Sequence, residues 1–368
     1  MKKFSFVTIC TCFLIFALLR YPQAMLAAGA NSVTLWFNQV LPSLFPFMVA
    51  CGLLLRMGAA ETAGEWLRPL MKPLFGLPGI AAFPFFLGIF SGYPMGAKIT
   101  ASLYAEKKIS LSQAEHILSF CNNPGPLFLV GTVGAAFFHA PLWGYLFLLS
   151  CFLGAIATGI IFRLFYAASI SNDFIPYQKN APPSITQCLP QTIADSVDTI
   201  TQIGGYIILF GVAVEAFEQT GIFHFLGHIL AFLPFSKEFL YAISGGLLEM
   251  TNGAFLLSSA PDNLSFRLTA CCVLVAFGGL SILCQTFGIL QNVPIKKSRY
   301  LAAKICNGIC SGFFFIMLAP FFEKYVQKPV PTLAMQAETA VSFPILSAKC
   351  SLLFFAFALI YAFKKRKQ

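Results

Sequence analysis

The stretch LSFCNNPGPLFLVG, residues 118–131, lies within the longest run of this chain that contains no Asp, Glu, Lys or Arg, residues 117–162. Two adjacent amides, Asn122 and Asn123, are followed there by the sequence Pro-Gly-Pro. Proline removes a backbone donor and glycine weakens a helix, so this cluster interrupts a segment that is otherwise apolar. We expect the break to form part of a binding site, because unpaired backbone groups are costly inside a membrane.

The composition of the whole chain is that of a membrane protein. Of 368 residues, 58% are hydrophobic and 10% are charged, and the mean hydropathy is +0.78. Soluble domains are about one quarter charged, and a membrane-spanning helix needs about 20 mostly apolar residues. Uncharged apolar runs recur at 4–19, 21–55, 80–97, 117–162, 268–295, 305–322 and 350–363. The sequence therefore predicts an all-α polytopic membrane protein.

The net charge of +10 is distributed beside these apolar runs. Basic residues flank them at Lys2, Lys3, Lys296, Lys297, Arg299, Lys304 and Lys364 to Lys367. Such clusters are typical of cytoplasmic flanks under the positive-inside rule, so we expect both termini in the cytoplasm and no nucleic-acid partner. The small residues at 27–30 also fit a cleaved signal peptide, which is the alternative to a retained first helix.

Two halves of the chain present similar features in the same order. The sequence GIFSGYPMGAKITASLY (88–104) corresponds to GGLLEMTNGAFLLSS (245–259), and each is followed by a long apolar run with a break. The breaks are CNNPGP in the first half and AFGGLS in the second. We divide the chain into an N-terminal membrane helix (1–30), a first repeat (31–165), a polar linker (166–199), a second repeat (200–295), and C-terminal membrane helices with a basic cytoplasmic tail (296–368).

Paired breaks in two halves are a mark of transporters. Irregular backbone at membrane depth is tolerated where it is buried in protein or lines a wet cavity, and transporter repeats place discontinuous helices around a substrate near the midplane. We therefore interpret residues 79–98 as two half-helices that meet in a re-entrant hairpin, with SGYPMGAK at its tip.

Polar side chains near the breaks are the candidate substrate-binding residues. In the first half they are Ser91, Tyr93, Lys98, Asn122 and Asn123, and in the second half Glu249, Thr251, Asn252, Ser281 and Gln285. A lysine near free helix N-termini favours an anion.

Each of these assignments has a structural alternative. Lys98 could instead extend to the lipid headgroups, and the amides and hydroxyls could cap broken helices. Glu249, inside an uncharged run, could pair with Lys98, bind a coupling proton or bind substrate. A structural ion pair or an interfacial carboxylate is the other interpretation of Glu249.

The remaining motifs favour no enzyme. The chain shows no phosphate-binding glycine loop, nucleophile elbow or catalytic triad, and its 12 Cys and 4 His have no metal-ligand spacing. We expect no cofactor and no metal. The expected partners are a small anion and membrane lipid, while a coupling H⁺ or Na⁺ and a homo-oligomer stay open.

The quoted stretches, together with VLPSLFPFMV and ISLSQAEHILSFCNNPGPLFLVGTVGAAFFH, resemble the sporulation integral membrane protein YlbJ family. That family is similar to the nucleoside-recognition, or Gate, domain proteins. The family's turn before Pro-Leu-Phe is usually rich in Asn and Ser, whereas this chain has Asn-Asn-Pro-Gly-Pro. The resemblance implies the core of concentrative nucleoside transporters: two inverted repeats, each with a re-entrant hairpin and an unwound helix.

The resemblance also implies a role in endospore formation, in the mother-cell or outer forespore membrane. It suggests dipicolinic acid, a planar dianion, as a substrate moved from the mother cell towards the forespore. Three hypotheses follow: a transporter of dipicolinate or a similar small anion, an ion-coupled transporter of a nucleoside or other solute, and a non-transporting membrane scaffold in spore assembly.

Overall fold

The secondary structure of the described residues consists of helices. The computed structural model describes residues 6–170, 184–229 and 232–326. The last apolar run and the basic tail predicted at the C-terminus lie outside the described residues, as do Lys2 and Lys3.

The first half of the described chain contains eight α-helices. They are α1 (Phe6–Arg20), α2 (Pro22–Leu35), α3 (Leu41–Arg56), α4 (Ala59–Phe75), α5 (Ala82–Ser91), α6 (Met95–Ala105), α7 (Leu111–Leu118) and α8 (Pro141–Ile170). Two π-helical segments, Trp36–Val40 and Leu127–Phe137, precede α3 and α8 respectively.

The second half of the described chain contains seven α-helices. They are α9 (Ile185–Gln219), α10 (Ile222–Ile229), α11 (Lys237–Leu248), α12 (Met250–Ser259), α13 (Leu264–Phe277), α14 (Gly279–Ile289) and α15 (Lys297–Val326). The boundaries predicted for the polar linker, 166 and 199, fall inside α8 and α9.

Four helical stretches in the described ranges are long and apolar enough to cross a membrane. They are Pro141–Tyr166, Ile185–Gln219, Leu264–Ile289 and Lys297–Tyr325, and two bent pairs raise the number to six if each is one span. The protein is an integral membrane protein, and the predicted all-α polytopic fold with discontinuous helices is confirmed.

The N-terminal segment is bent rather than straight. Helices α1 and α2 meet at an angle of 107°, in place of the one N-terminal membrane helix predicted over 1–30. Pro22 opens α2 because proline lacks the N–H that a continuing helix would need and fits the first turn of a new one.

The order of elements repeats after α8. A helical hairpin, α5–α6, is followed by α7, a break, the π-helix Leu127–Phe137 and the long helix α8. A second hairpin, α11–α12, is followed by α13, a break at Gly278, α14 and the long helix α15. The order predicted from the sequence is thus present in the fold, and the inverted relation between the halves stays a prediction.

Aromatic packing holds the first hairpin in place. The rings of Phe75 and Phe120 stack at 4.4 Å, and Phe85 of α5 packs edge-on against both. All three side chains are buried. Offset and edge-to-face ring pairs add to the free energy of area burial, so this cluster fixes α5 against the start of the first break.

Candidate functional site

The tip of the first hairpin packs directly on the first break. Gly92, between α5 and α6, has φ of +84°, and a Cβ there would lie 2.7 Å from the backbone nitrogen of Gly125. Both constraints require glycine, because an L side chain is strained at that φ and would collide with backbone. The SGYPMGAK sequence thus forms a turn that allows the hairpin tip and the first break to pack backbone against backbone.

The second hairpin meets the second break in the same way. Gly278 and Gly279 both have positive φ, +92° and +72°. A Cβ on Gly279 would lie 3.0 Å from the carbonyl oxygen of Gly246 in α11. Two successive left-handed residues end α13 and start α14, which is why this break needs the Gly-Gly pair.

Lys304 of α15 lies between the two breaks. Its side chain is 1% exposed, and its ammonium donates to the Tyr93 hydroxyl at 2.8 Å and to the Asn122 carbonyl oxygen at 2.9 Å. The ammonium also lies 4.7 Å from the centre of the Tyr93 ring, a cation–π distance. The Lys304 ammonium therefore connects α15 to the first hairpin and to the first break.

Tyr93 extends this contact to the second break. Its hydroxyl donates to the carbonyl oxygens of Ala276 and Val275, at 2.8 and 3.1 Å, at the C-terminal end of α13. A Cβ on Gly278 would lie 3.4 Å from the Tyr93 ring. Tyr93 thus connects the first hairpin to the second broken helix.

Asn122 anchors the first break to α14 and α15. Its side-chain amide donates to the Thr286 hydroxyl at 3.0 Å and to the Tyr300 hydroxyl at 2.8 Å. Its side-chain oxygen Oδ1 is buried and has no hydrogen-bond partner. Such a buried, unpaired oxygen is costly, so it marks a position where a donor or a cation would be favourable.

Asn123 forms the neighbouring link. Its side-chain nitrogen donates to the carbonyl oxygen of Phe120, at 2.7 Å, and its side-chain oxygen accepts from Asn307 of α15, at 2.8 Å. Ser311 continues the chain one turn further along α15, at 3.3 Å from Asn307. We call the connected set the central cluster: Tyr93, Asn122, Asn123, Thr286, Tyr300, Lys304, Asn307 and Ser311.

The interpretation of Lys304 as part of a basic cytoplasmic flank is wrong. The residue lies within α15 and is 1% exposed, and its ammonium contacts the first break and the tip of the first hairpin. The sequence contained a signal that was missed: Tyr300, Lys304, Asn307 and Ser311 recur at intervals of 4, 3 and 4. That spacing puts a polar stripe on one face of an apolar helix, which indicates a face turned towards a polar interior.

Lys304 has no carboxylate partner in the part of the chain that the structure describes. In the described ranges the ion pairs are Arg56–Asp195, Lys108–Glu106 and Arg299–Glu115, and Lys304 belongs to none. Burying an ammonium costs several kcal/mol unless a charge or hydrogen bonds compensate it. The contacts shown are hydrogen bonds to neutral oxygens, so this region of the bundle favours an anion.

A salt bridge fixes the beginning of α15. Glu115 of α7 accepts from the backbone nitrogen of Lys296 at 2.7 Å and from the Arg299 guanidinium at 3.1 Å. α7 itself begins at a capping box, in which Ser110 and Gln113 exchange side-chain and backbone hydrogen bonds. These contacts set the register of α15 and so the position of Lys304.

Lys98 lies in a different place from the central cluster. It lines a pocket of about 60 Å³ between α3, α6 and α9, together with the Arg56–Asp195 ion pair and the hydroxyls of Ser102 and Ser196. The predicted grouping of Lys98 with the amides of the first break is not seen. No ion pair joins Lys98 to Glu249 among the residues that the structure describes.

Glu249 has a structural role that differs from the ion pair and the interfacial carboxylate considered from the sequence. It lies between α11 and α12, and its two carboxylate oxygens accept from the backbone nitrogens of Thr251 and Asn252 at 3.0 and 2.8 Å. It is therefore the N-cap of α12, where a negative charge also interacts favourably with the helix dipole.

The three remaining candidates make local contacts. The Ser91 hydroxyl donates to the carbonyl oxygen of Leu87 in its own helix. Gln285 donates to Ser281 on the next turn of α14, at 3.3 Å, and both are buried. Of the ten predicted residues, Tyr93, Asn122 and Asn123 thus belong to the central cluster.

Comparisons with known proteins agree with this architecture. Residues 37–172 match the family model described as Gate: Nucleoside recognition, a range that contains the first hairpin and the first break. The chain is also 29% identical over 329 residues to "Sporulation integral membrane protein YlbJ" of Bacillus subtilis (strain 168). The predicted resemblance to the YlbJ and Gate families is confirmed. The alignment covers 83% of this chain and 80% of the relative, and no solved structure matches.

Replacing Glu249 by Gln tests whether this carboxylate is a cap. Glutamine keeps one acceptor oxygen of two, so we expect a loss of about 1 kcal/mol, or a fall in Tm of about 2–4 °C. The exposed Glu65→Gln variant is the control for loss of a carboxylate. Equal Tm values for Glu249→Gln and the unmodified protein would contradict the capping role.

Proposed function

We propose that this protein transports a small anionic solute across a membrane of a sporulating cell, with dipicolinic acid as the substrate. The observation that carries the proposal is Lys304, a buried lysine with neutral hydrogen-bond partners at the first break and the first hairpin tip. Tyr93, one of those partners, connects it to the second broken helix. A substrate with a carboxylate would supply the compensating charge.

The arrangement of the backbone supports transport over a static role. Each hairpin tip contacts a broken helix through glycine, and the Tyr93 hydroxyl links the Lys304 ammonium to the carbonyl end of α13. Discontinuous helices near a midplane site are the construction that transporters use, since rocking of one half against the other exposes the site to either side. A scaffold would not need two breaks at corresponding positions.

Dipicolinic acid fits the chemistry of the central cluster. It is planar and carries two carboxylates, and the cluster offers an ammonium and hydroxyls at Tyr93, Thr286 and Tyr300. Charge-assisted hydrogen bonds are about twice as strong as neutral ones, so an anion gains more from Lys304 than a neutral solute does. The name of the Bacillus subtilis relative supports a place in sporulation.

The location of the protein follows the same proposal. We place it in the mother-cell or outer forespore membrane, with both termini in the cytoplasm, because the basic residues flank the apolar runs at both ends of the sequence.

A nucleoside is the second candidate substrate, because the matching family model is described as nucleoside recognition. The test is uptake of labelled dipicolinate and of a labelled nucleoside into proteoliposomes that contain the purified full chain. We expect saturable dipicolinate flux that excess nucleoside leaves unchanged. Nucleoside flux alone would move the function to the second candidate, and flux of neither would favour the scaffold.

Lys98 is tested in the same assay. Its pocket lies beside α3 and α9, away from the central cluster, so we expect Lys98→Ala to leave both the half-saturating dipicolinate concentration and the maximal flux within about twofold. Complete loss of flux in a folded Lys98→Ala variant would place the substrate in the Lys98 pocket instead.

A further inference from the structure

The oxygen atoms around Lys304 have the composition of a monovalent cation site. The ammonium contacts a backbone carbonyl in an unwound segment, that of Asn122, and the hydroxyl of Tyr93. Tyr93 in turn contacts the carbonyl end of α13, where the helix dipole is negative. Unwound carbonyls and the C-terminal ends of half-helices are the groups that hold Na⁺ in ion-coupled transporters.

A second observation concerns the residue whose backbone oxygen binds the ammonium. Asn122 Oδ1 is buried and unpaired, on a side chain that is 1% exposed. The same residue gives its backbone oxygen to Lys304. This unpaired acceptor on Asn122 is available to a donor or a cation at the first break.

We propose that the Lys304 ammonium is a tethered cation that occupies a monovalent-cation site formed by Asn122, Tyr93 and the α13 C-terminus, and that it replaces a dissociable coupling ion. Anion transport by this protein therefore needs neither Na⁺ nor K⁺, since the positive charge belongs to the chain. This inference deepens the proposed function, but the site itself exists whether or not dipicolinate is the substrate.

The tether has a physical advantage over a free ion. A bound ion must be recruited from solution at each cycle, and the site would be charged only when it is occupied. The lysine is fixed in α15, which the Glu115 salt bridge and the Asn307–Asn123 hydrogen bond hold against the first half. The amine is consequently present at the first break in every cycle.

The test removes the tether and supplies a cation from solution. Lys304→Ala deletes three methylene groups and the ammonium, which is the size and charge of propylammonium. We expect propylammonium to raise the Tm of detergent-solubilised Lys304→Ala by about 2–4 °C in a saturable manner and to leave the unmodified protein unchanged. The neutral analogue 1-propanol fills the same space without charge, so it measures cavity filling alone.

The outcomes separate the cation site from the transport function. A propylammonium effect larger than that of 1-propanol supports the tethered cation, even if no substrate is ever found. Equal effects of the two compounds would overturn it, as would no effect of either on a variant that is folded by gel filtration. In proteoliposomes that transport dipicolinate, replacing Na⁺ and K⁺ by choline should change flux by less than twofold, and a tenfold fall would also overturn the proposal.

Discussion

At substrate concentrations below saturation, anion flux in the Lys304→Met variant is expected to be about 10–100-fold lower than in the unmodified protein, while the variant remains folded. Methionine keeps the length of the side chain and removes the charge, and a charge-assisted hydrogen bond is worth about 1.5–3 kcal/mol. The Asn122 carbonyl then loses its donor, at a cost of about 1–3 kcal/mol. That cost is offset because an ammonium no longer has to be buried.

The matched control is Lys297→Met, on the same helix. Lys297 is exposed at the start of α15, so its loss removes an equal charge without touching the breaks. Flux of labelled dipicolinate and the Tm in detergent are measured for both variants. Equal losses of flux in the two would mean that overall charge matters and that Lys304 has no special position. An unfolded Lys304→Met would show a mainly structural role.

The Gly96→Ala variant is expected to give the largest loss of stability. A Cβ at Gly96 would lie 2.0 Å from the carbonyl oxygen of Cys121, so hairpin and break must move apart. Inserting one methyl into packed structure costs about 1–3 kcal/mol, and here the neighbour is backbone that cannot rotate away. We expect a fall in Tm of at least about 5 °C, or loss of monodisperse protein.

Gly205→Ala is the control for helix propensity. A Cβ at Gly205 of α9 would meet nothing within 4 Å, so alanine there should stabilise the helix by about 0.5–1 kcal/mol. Replacement of glycine by alanine is thus expected to lower the free energy of unfolding at Gly96 and to raise it at Gly205. A neutral Gly96→Ala would show that the first hairpin does not pack on the break.

The sequence predicts the site residues of the first half of the chain better than those of the second half. Asn122 and Asn123 stand out because two amides followed by Pro-Gly-Pro cannot continue a helix, and the structure places both in the central cluster. Tyr93 stands out in the same manner beside Gly92. The side-chain partners of these residues come from α14 and α15, more than 150 positions away, and no local pattern specifies such pairings.

Lys98 and Glu249 show the opposite case. Each is a conspicuous charge in an apolar context, so the sequence predicts both as substrate-binding residues near the breaks. The structure separates them because Lys98 lies on the side of α6 that faces α3 and α9, and Glu249 is oriented by the free N–H groups of α12. Charge in an apolar run indicates that a polar partner exists, but the partner depends on which face the helix presents.

The sequence by itself determined that this chain enters a membrane, that its helices are broken at Asn122–Pro126 and Gly278–Gly279, and that two halves repeat one order of elements. Those properties depend on local composition and backbone chemistry. Tertiary structure alone decided that Lys304, which has the sequence context of a flank, is the cation between the breaks. Its position depends on the register of α15 against α7 and on contacts between distant segments, which form when the helices pack.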